Sequence, residues 1–79
     1  MNLNPIKANM NVLHVNDMDI LFSYKTPVAA VIDSNAYHTE YKWSRTTSRH
    51  IAEWYKMGGI ARASTRPQEF FDNLIAEVK

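Results

Sequence analysis

The first half of the chain alternates between apolar and polar residues at every second position, a pattern that predicts β-strands. Residues 10–23 read "MNVLHVNDMDILFS", two runs rich in Val, Ile and Phe on either side of Asn16-Asp17. Asn and Asp tolerate the positive φ values of a tight hairpin turn, so these runs predict two antiparallel strands. Alternation places Ile20 and Phe22 on one face of the second strand and Leu21 on the other.

Two further strands follow before the pattern changes. Pro27 marks a turn in "KTP", because proline lacks the amide donor and belongs at the start or edge of a strand. "VAAVI" is the third predicted strand and "YHTEYKW" the fourth, with Tyr37, Tyr41 and Trp43 on one side. Residues 10–43 therefore predict an antiparallel meander of three or four strands.

The second half of the chain has helical periodicity. Ile51, Trp54 and Tyr55 are spaced i, i+3 and i+4, and Gly58-Gly59 ends their helix, so residues 47–57 are the first predicted helix. Thr65 and Gln68 have the spacing of a capping box ahead of a second helix over residues 66–78. We expect both helices on one face of the sheet, with Ile20 and Phe22 beneath a shared core of Trp43, Ile51, Trp54, Phe70 and Leu74. Strands followed by helices define an α+β fold.

Length and composition are compatible with one small domain. The 79 residues predict a single domain, 1–79, in which residues 1–9 stay open between an ordered and a flexible N-terminus. A hydrophobic content of 46% is too high for intrinsic disorder, and no run approaches the roughly 18 apolar residues of a membrane helix. The chain has no cysteine and no recognisable secretion signal, so we expect a cytoplasmic protein without disulfides or zinc–thiolate sites.

Catalytic and metal-binding patterns are lacking. His14, His38 and His50 have no second ligand at helical spacing, and Asp17 and Asp19 are best explained as solubilising a turn. The hydroxyls before His50 are better explained as helix caps than as a nucleophile with its base. We therefore expect no enzymatic activity, no metal and no cofactor.

Charge is distributed unevenly along the chain. Lys42 to Arg66 holds six bases and one acid, a net charge of +5 in a chain whose total is +1. This segment includes a predicted helix start with four hydroxyls, whose free amides favour phosphate. The candidate nucleic-acid contacts are Lys42, Arg45, Thr46, Thr47, Ser48, Arg49, Arg62 and Arg66. The alternative is that these hydroxyls only cap the helix and that the bases only form its ordinary solvent-exposed face.

Three stretches also carry a resemblance: "LFSYKTPVA", "TEYKWSRTTSRHI" and "PQEFFDNL". They resemble short, uncharacterised proteins of tailed bacteriophages in which S-Y-x-T-P-V-A is followed by W-S-x-T-T-S-R-H-I. The resemblance implies a phage origin and the cytoplasm of the host cell as the setting. It supplies no catalytic or binding residues.

Two kinds of binding function follow. In the first, the basic segment contacts nucleic-acid phosphates, with affinity that depends on salt. In the second, the chain binds and modulates a host protein, with Tyr37, Tyr41 and Trp43 as exposed aromatic anchors. The same surface would alternatively close a homodimer with a structural, accessory role.

Overall fold

Six strands form one sheet, and two helices follow the fifth and sixth strands. A computed structural model describes residues 3–7, 9–15, 17–60 and 62–77. The strands are β1 (Leu3–Lys7), β2 (Met10–Val15), β3 (Met18–Ser23), β4 (Thr26–Ile32), β5 (Asn35–Thr39) and β6 (Ser64–Arg66). The helices are α1 (Arg45–Met57) and α2 (Gln68–Glu77). The predicted α+β class and a meander followed by two helices are confirmed, although the sixth strand lies between the helices.

The strands lie in the sheet in the same order as in the sequence. β1 to β5 form an antiparallel meander, whereas β6 pairs parallel to β5 with Ser64 opposite Tyr37. A parallel neighbour requires a crossover, and α1 supplies it between β5 and β6. The sheet thus has two strands more than the predicted maximum, and one of them, β1, lies within the N-terminal stretch 1–9.

Two-residue turns connect the strands of the meander. Asp17 has a φ of 63°, as predicted for the first hairpin, whereas its neighbour Asn16 lies outside the described residues. Asp33 and Ser34 both have positive φ, at 50° and 68°. Positive φ at both central positions is the geometry of a type I′ turn, whose backbone twist matches that of the two strands it joins. These turns hold the strands in a register that presents alternate residues to opposite faces.

The helices cover opposite faces of the sheet, so the expectation that they share one face is wrong. Leu21 belongs to a cluster with Met10, Val28 and Ala29, against which α1 packs Ile51, Trp54 and Tyr55. The adjacent Ile20 belongs to a second cluster with Leu13 and Ala30, which surrounds Phe71 of α2. Adjacent strand residues point to opposite faces. The physical reason is that the central strands are apolar on both faces, and each apolar face requires its own cover.

The predicted common core of five side chains is wrong for the same reason. Ile51 and Trp54 of α1 pack on one cluster, whereas Phe70 and Leu74 of α2 pack on the other. Trp43 joins neither cluster and is 45% exposed. The sheet therefore separates the α1 side chains from the α2 side chains that we expected to share one core.

Strand β5 and both helices have bounds different from those predicted. β5 ends at Thr39, whose Oγ1 accepts a hydrogen bond of 3.1 Å from the amide of Tyr41 and so turns the chain out of the sheet. α1 begins two residues earlier than predicted, at Arg45, and α2 two residues later, at Gln68. The predicted capping box is absent because Thr65 pairs in β6 with His38. Val78, in the predicted second helix, lies outside the described residues.

Candidate nucleic-acid interface

Ser44 is the N-cap of α1. Its backbone is extended, with φ −164° and ψ 167°, and its side-chain oxygen accepts a hydrogen bond of 3.1 Å from the amide of Thr47. Its carbonyl accepts the first intrahelical bond, from the amide of Ser48 at 3.1 Å. This is the geometry in which a hydroxyl satisfies one of the free donors of a helix start. Of the four hydroxyls at the predicted helix start, that of Ser44 is therefore the structural cap.

Ser44→Ala is expected to lower the free energy of unfolding by about 1 kcal/mol, because the amide of Thr47 loses its acceptor. Urea denaturation followed by circular dichroism measures the change. Thr46→Ala, at an exposed hydroxyl in the first turn of α1, is the control and should shift stability by no more than about 0.5 kcal/mol. Equal losses in the two variants would contradict the cap assignment.

A second candidate hydroxyl, Thr47, is buried in a polar cluster that joins α1 to the sheet. Ser23 Oγ of β3 lies 3.0 Å from Thr47 Oγ1 and 2.8 Å from His50 Nδ1, both within hydrogen-bonding distance. All three residues are at most 5% exposed. Thr47 cannot contact a phosphate from this position, so it has a structural role. Thr46 and Ser48 remain exposed.

The exposed bases of α1 form one row, here called the basic stripe: Arg45, Arg49 and Lys56. At about 100° per residue they fall within roughly 40° of one another around the helix. This direction is opposite the face on which Thr47 and Trp54 pack towards the sheet. Within the described residues, none of the three forms a salt bridge. The stripe therefore points outward with its charges available to a ligand.

Beside the basic stripe lies a concave surface, here called the aromatic groove. It has a volume of about 470 Å³ and lies between α1 and the loop that leaves β5. Its lining residues are His38, Thr39, Glu40, Tyr41, Lys42, Trp43, Thr47, Ser48, Ile51, Ala52, Tyr55 and Thr65. The groove occupies the carboxyl end of β5, next to the start of the following helix.

Two aromatic side chains form the exposed wall of the aromatic groove. The Tyr41 and Trp43 rings lie 4.5 Å apart between centroids and are 57% and 45% exposed. Trp43 Nε1 donates to Gln68 Oε1 at 2.9 Å, and Gln68 Nε2 donates to the carbonyl of Pro27 at 2.7 Å. The Trp43 ring is thereby anchored to α2 and, through it, to β4.

The opposite wall is more rigid and more buried. Tyr55 of α1 donates its hydroxyl hydrogen to the carbonyl of Tyr37 at 2.7 Å, which fixes the helix over β5. Burial raises the pKa of the Tyr55 phenol well above its ordinary value, so the ring stays neutral. Ile51 completes this wall. The groove thus has a fixed apolar side facing an exposed aromatic pair.

Arg62 and Arg66 lie elsewhere, so the structure divides the predicted basic patch. Both line a separate polar pocket of about 730 Å³ at the β4–β5 turn. The Arg66 guanidinium stacks over the Tyr37 ring at 4.9 Å, and Tyr37 packs on Phe70, 5.5 Å away on the α2 side of the sheet. Tyr37 is therefore not part of the exposed aromatic pair. Of the candidate bases, Lys42 is the one that lines the aromatic groove in the described part of the chain.

The histidines and acids of the described ranges are dispersed over the fold, and both helices are short. No group of three or more His, Cys, Asp or Glu residues comes together there, and His14 instead pairs with Asp19 across β2 and β3. Neither helix is long and apolar enough to cross a bilayer.

The fold and the site define a small α+β domain with a basic helix face beside an aromatic groove. The sequence matches a family model described as "Family of unknown function (DUF8033)" over residues 1–73, and the chain belongs to that family. No curated protein and no solved structure matches the chain.

Proposed function

We propose that this chain is a non-enzymatic binding protein that associates with nucleic acid through the basic stripe and Lys42. The supporting observation is that Arg45, Arg49 and Lys56 form a single outward row whose charges are not neutralised within the described residues. Lysine and arginine contacts to phosphates supply most of the affinity in sequence-independent binding. The proposal needs no cofactor and no metal.

The local geometry supports an anionic ligand. The first turn of α1 contains no acidic residue, and the N-terminal end of a helix carries partial positive charge. From Arg45 to Lys56 the stripe is about 16 Å long, which allows contact with several successive phosphates. Exposed Thr46 and Ser48 add hydroxyl donors at the same end of the helix.

The distribution of acids supports the same orientation. Glu69 and Asp72 are exposed on α2, on the opposite side of the sheet from α1. On α1 a single acid, Glu53, accompanies the three bases of the stripe, so a polyanion is favoured on the α1 side over the α2 side. The resemblance to tailed-bacteriophage proteins makes phage or host nucleic acid in the host cytoplasm part of this proposal.

Arg45→Ala combined with Arg49→Ala is expected to weaken binding and to flatten its salt dependence. Removing two phosphate contacts should reduce the slope of log K against log salt by about two. Titration of labelled DNA and RNA at several salt concentrations measures both quantities. The fold should remain intact, because exposed charges contribute little to stability.

The matched control is Arg62→Ala combined with Arg66→Ala, which removes the same charge from the polar pocket instead of α1. We expect it to change the salt slope by less than half as much. Equal effects of the two double variants would show that net charge, rather than the basic stripe, governs binding. No binding by the unaltered protein at about 50 mM salt would overturn the proposal.

A protein partner is the second candidate, and the exposed Tyr41–Trp43 pair is the observation that favours it. Aromatic side chains are enriched among the residues that dominate the energy of protein interfaces. The partner would be a host protein that this chain modulates, or a second copy in a structural homodimer. Sedimentation equilibrium of the isolated protein, with Tyr41→Ala for comparison, tests the homodimer.

A further inference from the structure

We infer that the nucleic acid is bound as a single strand, with one base seated in the aromatic groove and its flanking phosphates on the basic stripe. This inference rests on the proposed function and specifies its ligand. It requires that the groove and the stripe be close enough for one nucleotide segment to occupy both.

The helix surface meets that requirement. Ser48 and Ala52 line the aromatic groove. Ser48 lies three residues after Arg45, and Ala52 lies three residues after Arg49 and four before Lys56. These spacings place the groove wall and the stripe in adjacent rows. A base inserted beside Ala52 therefore has its backbone at the edge of the row of guanidinium and ammonium groups.

The chemistry of the groove matches an unpaired base. Ile51 and Tyr55 give an apolar inner wall and Tyr41 and Trp43 give ring faces, while exposed Lys42 and Glu40 also line the groove. Successive bases stack on aromatic side chains in single-strand binding proteins, next to a positively charged track for the backbone. In a duplex the bases are stacked inside and expose only their edges, so the rings have no base face to contact.

The aromatic pair is also held in position. Trp43 is fixed by its hydrogen bond to Gln68, and the backbone at Tyr41 is fixed by the hydrogen bond from its amide to Thr39 Oγ1. Fixed rings lose little conformational freedom when a base stacks on them, which favours binding. A loop without these hydrogen bonds would lose more conformational entropy when the base binds.

Three oligonucleotides of one length test the inference on the intact protein: a single strand, the duplex of the same sequence, and a single strand of abasic sugars. The single strand is expected to bind on the order of tenfold more tightly than the other two, because only it offers base faces for stacking. Fluorescence anisotropy at one fixed salt concentration measures all three.

Two variants locate the base. Tyr41→Ala removes a stacking ring, and Ala52→Leu fills the aromatic groove without changing charge. Each should weaken single-strand binding on the order of tenfold while leaving duplex binding and the salt slope unchanged. Ala76→Leu, the same substitution at an exposed alanine of α2, is the matched control and should bind like the unaltered protein.

The outcomes separate this inference from the proposed function. If all three oligonucleotides bind equally and Arg45→Ala with Arg49→Ala weakens each, the basic stripe binds nucleic acid but the aromatic groove holds no base. Equal behaviour of Ala52→Leu and Ala76→Leu would likewise overturn the inference alone. If no oligonucleotide binds, both the inference and the proposed function are overturned.

Discussion

Phe71→Ala is expected to lower the free energy of unfolding by about 3–5 kcal/mol. Phe71 is fully buried and is the central contact of α2 with Leu13, Ile20 and Ala30 of the sheet. Truncation removes the ring's transfer free energy and leaves a cavity beneath a ten-residue helix. At roughly 0.05–0.15 kcal/mol per residue, a chain of this length has about 4–12 kcal/mol of stability in total. The loss is therefore a large share of that total.

Equilibrium unfolding in urea, followed by circular dichroism, measures this loss. Phe71→Leu is the control, because a smaller apolar side chain in the same position should cost about half as much or less. Should Phe71→Ala retain the denaturation midpoint of the unaltered protein, α2 would not contribute the second core that the structure assigns to it.

Ser23→Ala is expected to cost about 1–3 kcal/mol although it removes a single oxygen atom. The change takes away the Ser23 partner of both Thr47 and His50 in the buried cluster between β3 and α1. Buried polar groups that lose a partner retain their full cost of desolvation. Ser64→Ala, at an exposed serine of β6, should change stability by no more than about 0.5 kcal/mol.

A double-mutant cycle with Thr47→Val shows whether the cluster acts as a unit. The losses of unfolding free energy in the two single variants should add up to at least about 0.5 kcal/mol more than the loss in the double variant, because both changes disrupt the same contact. Strict additivity would mean that Ser23 and Thr47 contribute independently, and the cluster would not couple α1 to the sheet.

The strands of the meander were predictable because their periodicity and turn residues are local signals. The prediction that the helices cover only one face of the sheet was wrong, although "ILF" and "VAAVI" contain the evidence against it. Adjacent apolar residues in a strand, such as Ile20 and Leu21 or Ala29 and Ala30, point to opposite faces, so both faces must be buried. β6 had no comparable signal. Its three exposed residues form a strand only because the crossover places them beside β5.

The candidate site was predictable in its charges but not in its shape. Helical spacing alone places Arg45, Arg49 and Lys56 in one row. The same spacing places Thr47 on the face of Ile51 and Trp54, but it does not show that Thr47 meets Ser23, because Ser23 is 24 residues away in the sequence and only tertiary packing brings the two together. The aromatic groove has the same origin, since the end of β5 at Thr39 is what moves Tyr41 and Trp43 out of the sheet.

The parallel pairing of β6 with β5 has a consequence for the energetics of ordering. Two-residue turns close the meander, whereas this pair forms only when residues 40–63 close a much longer loop. Because the entropic cost of closing a loop grows with the logarithm of its length, closing this loop costs about 2 kcal/mol more than closing a two-residue turn. Thr65 of β6 lines the aromatic groove, so a ligand that contacts Thr65 together with α1 would bind the paired form more tightly and favour pairing by mass action. Under the proposed function, occupancy of the groove and pairing of the last strand would each increase the other.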